Sequence, residues 1–296
     1  MARTNGSDTT TGNRLLRFRF PVLLVVFAVV MLLNGGLVQL VSSVDLLALP
    51  LGVAVAIAVV VGYRRLSRIV EQRPDVPELD PARMRSGLAR GALLGSGLFV
   101  VLILLIGLFG GWADVSWGSV LGLLGTVGVT ASVAATEEVL FRGVLFRIME
   151  ERTGTMIALV VSSVLFGLTH VINVNATLWG ALSIGLTGGL LTSSAYVVTR
   201  SLWLPLGLHF AWDCTHSGVF GVVLSGSATE PHGLLHFTLS GPTVLSGGTF
   251  GPEASLFALV VCAVPTVLLL RRAARTGQIR RRPSRVTTDQ QPTDPA

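Results

Sequence analysis

Three short patterns hold the residues of this chain best suited to chemistry: Glu137-Glu138 with Arg142, Phe166 with His170, and His209 with Asp213. All three lie in apolar sequence. An ionised carboxylate in hydrocarbon costs roughly 2.5 to 3.5 kcal/mol on insertion scales unless a partner answers it. Glu138 and Arg142 stand four apart and can pair on one helical face, acid ahead of base, as a structural ion pair that orients the helix. Glu137 points about 100° away around the same helix and has no such neighbour. That leaves Glu137 as the carboxylate whose presence calls for a functional reason.

The residue types point to hydrolysis. A carboxylate beside an imidazole can take a proton from water, and a second imidazole with a polar neighbour can donate hydrogen bonds to the oxyanion formed when that water attacks a peptide carbonyl. Glu137, His170 and His209 are also a donor set able to hold Zn²⁺ with an open position for water. There is no His-Glu-x-x-His helix pattern, so the familiar zinc-protease signature does not decide between the two routes. A lone membrane histidine is more simply a helix-to-helix hydrogen-bond partner. Chemistry is favoured because these groups reach one depth. Glu137 and His170 are equidistant from a turn at Arg152-Thr153-Gly154, roughly 24 Å along each helix at 1.5 Å per residue. His209, counted from Arg200, reaches a similar level if the arginines mark one membrane interface.

The elements that must position these groups are membrane helices. The 296 residues are 51% hydrophobic and only 13% charged, with mean hydropathy +0.71, against about a quarter charged in soluble domains. Eight apolar runs are long enough to cross a bilayer: Phe20–Ser42, Leu46–Tyr63, Gly91–Trp112, Gly118–Phe141, Ala158–Ile172, Leu178–Val198, Leu202–Leu224 and Ala254–Leu270. The fold class is therefore an all-α, polytopic helical bundle. The 22 basic residues are all arginine and avoid the connections near Asp45, Gly111–Trp117, Asn173–Thr177 and Ser225–Pro252. By the positive-inside rule both termini are cytoplasmic and the protein is a multi-pass protein of the cell membrane. The net charge of +6 then reports topology and contact with anionic membrane lipids, and nucleic acid is not an expected partner.

The chain divides into a disordered cytoplasmic tail at 1–13, two spans and a charged loop at 14–90, a core at 91–224, an external loop at 225–252, a last span at 253–270 and a disordered basic tail at 271–296. The charges of the Arg64–Arg90 loop read as a solvated face, and His232 and His236 as surface residues of the external loop. Cys214 and Cys262 lack paired spacing, so no disulfide is expected. Glycines at 91/95, 122/125/128 and 185/189 form stripes for close helix packing, and Trp179, Trp203 and Trp212 read as packing or interface aromatics.

Taken together the three motifs resemble the CPBP family of intramembrane proteases, which includes the CAAX endopeptidases and the bacterial Abi proteins. The family pattern is Glu-Glu-x-x-x-Arg, then Phe-x-x-x-His, then His-x-x-x-Asn or Asp, and the chain carries all three in that order across about residues 90–224. The resemblance implies that Glu137 and His170 activate the attacking water, that His209 and Asp213 line the oxyanion side, and that Phe166 supports the second motif. Metal-dependent and metal-free routes both stay open. An ionised Asp213 would repel an oxyanion, so it is either protonated or orients His209 or a metal. The expected function is an intramembrane endopeptidase acting on a peptide or protein substrate whose identity the motifs leave open. The alternatives are a non-catalytic membrane immunity or scaffold protein of the same fold, and a proton-coupled transporter, which the lack of an internal repeat disfavours.

Overall fold

The computed structural model describes residues 7–41, 44–228 and 232–282 of the chain, with side chains described from residue 16 onward. Helix α1 (Ser7–Val41) and α2 (Asp45–Val70) form an antiparallel pair, and α3 (Met84–Leu108) follows a loop with two 3₁₀ turns at Pro77–Leu79 and Pro81–Arg83. Strand β1 (Trp112–Trp117) leads into α4 (Val120–Glu138), which continues through a π-helical stretch, Val139–Phe146, into α5 (Arg147–Thr153). Helix α6 (Thr155–Thr169) folds back along it. Then come α7 (Leu178–Ile184), a π stretch at Gly185–Gly189 and α8 (Leu190–Thr199); next α9 (Trp203–Asp213) with its π extension Cys214–Val219. Strand β2 (Leu235–Leu239), the single turn α10 (Thr243–Ser246) and α11 (Leu256–Arg275) complete the chain.

Among the described residues, seven helices are long and apolar enough to cross a membrane. The eighth expected span is α9, an 11-residue helix lengthened by six π-helical residues, at the lower end of the lengths that cross a bilayer. It lies inside the bundle, packed against α3, α4 and α8. Apolar side chains such as Leu33, Leu93 and Ile172 face outward, as they must where the surroundings are acyl chains. The chain is a multi-pass membrane protein.

The glycine stripes set how closely the helices approach. A Cβ on Gly91 or Gly95 of α3 would overlap the Leu204 or Leu208 carbonyl of α9, and one on Gly128 of α4 would overlap the Ala48 carbonyl of α2. By contrast, Gly97 has open space where a Cβ would go. Overpacking of this kind costs about 1 to 3 kcal/mol. Gly128→Leu is therefore expected to lower the melting temperature in detergent, and Gly97→Leu to leave it unchanged; equal melting of the two variants would show that α2 and α4 do not need their close contact.

Several expectations are corrected. The sheet formed by β1 and β2 is antiparallel, pairing Val115 with Phe237 and Trp117 with Leu235. It lies in two connections read as loops. Its signal was the period-two alternation in Leu235-His236-Phe237-Thr238-Leu239, too short to stand out beside the helical spans. His232, just before that segment, and His236 within it are both exposed as expected, and His232 also pairs with Asp45 at 3.5 Å. The first tail is also shorter than expected, since α1 begins at Ser7; residues 1–6 and 283–296 lie outside the described residues. Residues 276–282 do not hang free: Thr155 N donates to the Arg280 carbonyl at 3.0 Å, and Arg280 N donates to Thr155 Oγ1 at 2.8 Å.

The charges of the Arg64–Arg90 loop are not all solvated either. Glu71 and Glu78 are buried; Arg147 bonds Glu71 at 2.6 Å and Arg73 bonds Glu78 at 2.6 Å. Tyr63 places its hydroxyl 2.6 Å from Glu78 Oε1 and 2.9 Å from the Gly143 carbonyl. Paired in this way, carboxylates can be buried where single ones cannot.

Candidate active site

The turn between α5 and α6 falls at Gly154, whose φ of +81° is open to glycine at little strain. With that turn fixed, α4 and α6 run antiparallel, and Glu137 and His170 line one cavity of about 690 Å³ together with Phe166, His209 and Asp213. The helix ends shape this site. The π stretch after α4 begins directly beyond Glu138, and the one after α9 directly beyond Asp213. A π turn bonds i to i+5 and so releases carbonyls that side chains can use, which is one reason such turns occur at functional sites. Arg142 donates to the Gly189 carbonyl at 3.1 Å, and Arg147 to the Gly143 carbonyl at 2.8 Å; both acceptors lie in π stretches.

Behind the cavity wall, Glu138 and Arg142 form an ion pair of 2.9 Å with both side chains 0% exposed. The guanidinium also lies 4.5 Å over the Phe166 ring. Glu138 has a further partner that its spacing did not reveal: the same Oε1 stands 2.9 Å from His209 Nδ1. One buried carboxylate thus joins the first motif to the third.

His209 presents its other nitrogen to the cavity, with Nε2 3.4 Å from Asp213 Oδ2 and 3.8 Å from Glu137 Oε2. His170 holds its Nδ1 3.0 Å from the carbonyl of Phe166, its own helix's residue four back, which leaves Nε2 as the free edge of the ring. The Phe166 ring lies 5.2 Å from the His170 ring and 5.9 Å from the His209 ring, so it separates and braces the two imidazoles. Glu137 keeps 15% of its side chain exposed, and its Oε2 makes no hydrogen bond among the described residues.

His216 is fully buried and stacks on Phe99 at 4.5 Å, away from the cavity lining. Cys214 and Cys262 are free. Among the described residues no group of three His, Cys, Asp or Glu side chains is placed to hold a metal ion together. Glu137, His170 and His209 share a cavity but do not form a coordination cage.

One lining residue escaped the sequence reading. Glu253, the first residue of the segment taken for the last span, is 5% exposed and lines the same cavity. It accepts from Trp212 Nε1 at 2.9 Å and from Ser225 Oγ at 2.5 Å.

The site is thus a carboxylate and two imidazoles around an internal cavity of a helical membrane bundle. In line with the resemblance of the three motifs, residues 119–215 match the family described as Rce1-like, type II CAAX prenyl endopeptidase. That segment lies inside the stretch marked out by the motifs and contains all three of them. Neither the curated proteins nor the solved structures yield a significant match.

Proposed function

We propose that the chain is an intramembrane endopeptidase in which Glu137 takes the proton from a water held between it and the free edge of His170. The observation that carries this reading is the Glu137 carboxylate itself: it opens into a cavity of about 690 Å³ and its Oε2 makes no hydrogen bond among the described residues. A carboxylate oxygen that faces an imidazole at 3.8 Å but makes no hydrogen bond among the described residues is ready to bind water. The hydroxide attacks the substrate carbonyl, and Glu137 then hands the proton to the leaving amine.

His209 suits the opposite side of the carbonyl. Carboxylate oxygens flank both edges of its ring, Glu138 at Nδ1 and Asp213 and Glu137 at Nε2, so both nitrogens act as donors. The Nε2–H can turn from Asp213 to the oxyanion as charge develops there. On this reading Asp213 orients His209 and does not touch the oxyanion, which removes the conflict that an acid at this position would create. Glu138 and Arg142 hold the ring from behind as positioning residues. Both termini are assigned to the cytoplasm and the protein to the cell membrane, because the arginines gather at alternate connections.

The test is cleavage of a peptide library by the purified protein in detergent or bilayers, beside Glu137→Gln and His170→Ala, with and without chelator. The reading expects defined cleavage by the wild type that both variants lose. Library peptides left intact by the wild type, with its biological activity unaltered in the variants, would mark a non-catalytic membrane protein. Cleavage lost on chelation and restored by Zn²⁺ would move the water onto a metal held by Glu137, His170 and His209; unchanged cleavage would keep it on Glu137.

A further inference from the structure

The connection after α9 leaves the stretch that resembles the proteases, yet it returns to the cavity through a rigid route. Gly251 adopts φ +106°, where a Cβ would overlap the Val223 carbonyl. Two residues beyond Glu253, Ser255 caps α11 by accepting from Ala258 N at 3.2 Å. Between these fixed points the backbone is tied to α7: Ser183 Oγ donates to the Glu253 carbonyl at 2.6 Å, and Trp179 Nε1 to the Ala254 carbonyl at 2.8 Å. The Glu253 side chain then gathers the α9 indole of Trp212 and the turn hydroxyl of Ser225. Four hydrogen bonds from three separate parts of the chain thus converge on Glu253-Ala254.

Trp212 and Ser225 both line the cavity, and Trp212 precedes Asp213 in the chain. The indole has two supports: the Phe99 ring meets it edge-on at 5.3 Å, and Glu253 accepts its N–H. Loss of the second frees the ring to turn into or away from the space that a substrate side chain fills. We infer that Glu253 is a positioning residue for substrate specificity: by clamping Trp212 and Ser225 it makes the 220–254 connection one wall of the peptide-binding cavity. The inference rests on the endopeptidase reading and deepens it. Glu253 lies outside the hydrolytic group of Glu137, His170, His209 and Asp213, so it acts on which peptide is held and how tightly, not on the proton transfer.

The experiment measures kcat and KM on the best library peptide, together with the library's side-chain preference, for wild type, Glu253→Ala, Glu253→Gln and Trp212→Phe. A hydrogen bond to a buried carboxylate corresponds to roughly tenfold or more in a binding constant. Glu253→Ala is expected to raise KM about tenfold and broaden the side-chain preference, with kcat within about threefold of wild type. Glu253→Gln, which still accepts the indole N–H, restores the wild-type KM and preference. Trp212→Phe, which keeps a ring but no N–H, reproduces the Glu253→Ala profile. Should Glu253→Ala fail to fold, Trp212→Phe decides alone. A wild-type KM and preference in Trp212→Phe, or an equal fall in kcat and kcat/KM in Glu253→Ala, overturns the inference and leaves the endopeptidase reading intact. A wild type that cleaves nothing overturns both.

Discussion

Glu137→Gln is expected to abolish detectable peptide cleavage while leaving the protein folded. The two halves of this result have separate causes. Removing a general base costs about 10²- to 10⁴-fold in rate, and a glutamine amide cannot take a proton from water. Stability should hardly change, because Gln is nearly isosteric and the Glu137 Oε2 it replaces makes no hydrogen bond among the described residues. Burial in the lipid-embedded bundle favours the neutral amide over a carboxylate in any case. The measurement is kcat/KM on the best library peptide, beside melting temperature and gel-filtration profile in the same detergent. Cleavage within about tenfold of wild type would remove Glu137 from the base role. A collapsed gel-filtration profile would show instead that the carboxylate holds the fold.

Much of this arrangement was legible before any coordinates. The apolar runs specify a helical membrane bundle, and the spacing of Glu137 and His170 about the Gly154 turn, with His209 counted from Arg200, puts at one depth three residues that line one cavity. What spacing cannot show is which partner a side chain chooses when several lie in reach. Glu138 looked like a simple i to i+4 partner of Arg142, yet its Oε1 also reaches His209. The π stretches were likewise hidden, because α and π turns share the same apolar pattern and differ by one residue per few turns. Glu253 was missed for a third reason: its 41-residue separation from Trp212 makes the contact a property of tertiary structure alone. The buried pairs of Glu71 and Glu78 follow the same logic, since a charged loop reads as solvated until its partners are known.

Arg142→Met is the variant expected to cost the most stability. The arginine is 0% exposed; its NH1 bonds Glu138 at 2.9 Å, its NH2 bonds the Gly189 carbonyl at 3.1 Å, and its guanidinium lies over Phe166. Methionine fills part of the volume and supplies none of the donors. Glu138 is then left as a buried carboxylate facing His209 alone, its Oε2 already without a hydrogen bond among the described residues. Breaking a buried pair from one side typically costs about 3 to 5 kcal/mol, enough to unfold many membrane proteins in mild detergent. Removing both charges is a different experiment. In Glu138→Gln with Arg142→Met no charge is stranded, and the glutamine oxygen can still accept from His209 Nδ1, so the double variant should melt above the Arg142→Met single. That order is a coupling that only directly interacting residues produce. Were the double variant the less stable of the two, by a loss equal to the sum of the single ones, Glu138 and Arg142 would be acting independently. The ion pair could then not be what holds His209 in place behind the cavity.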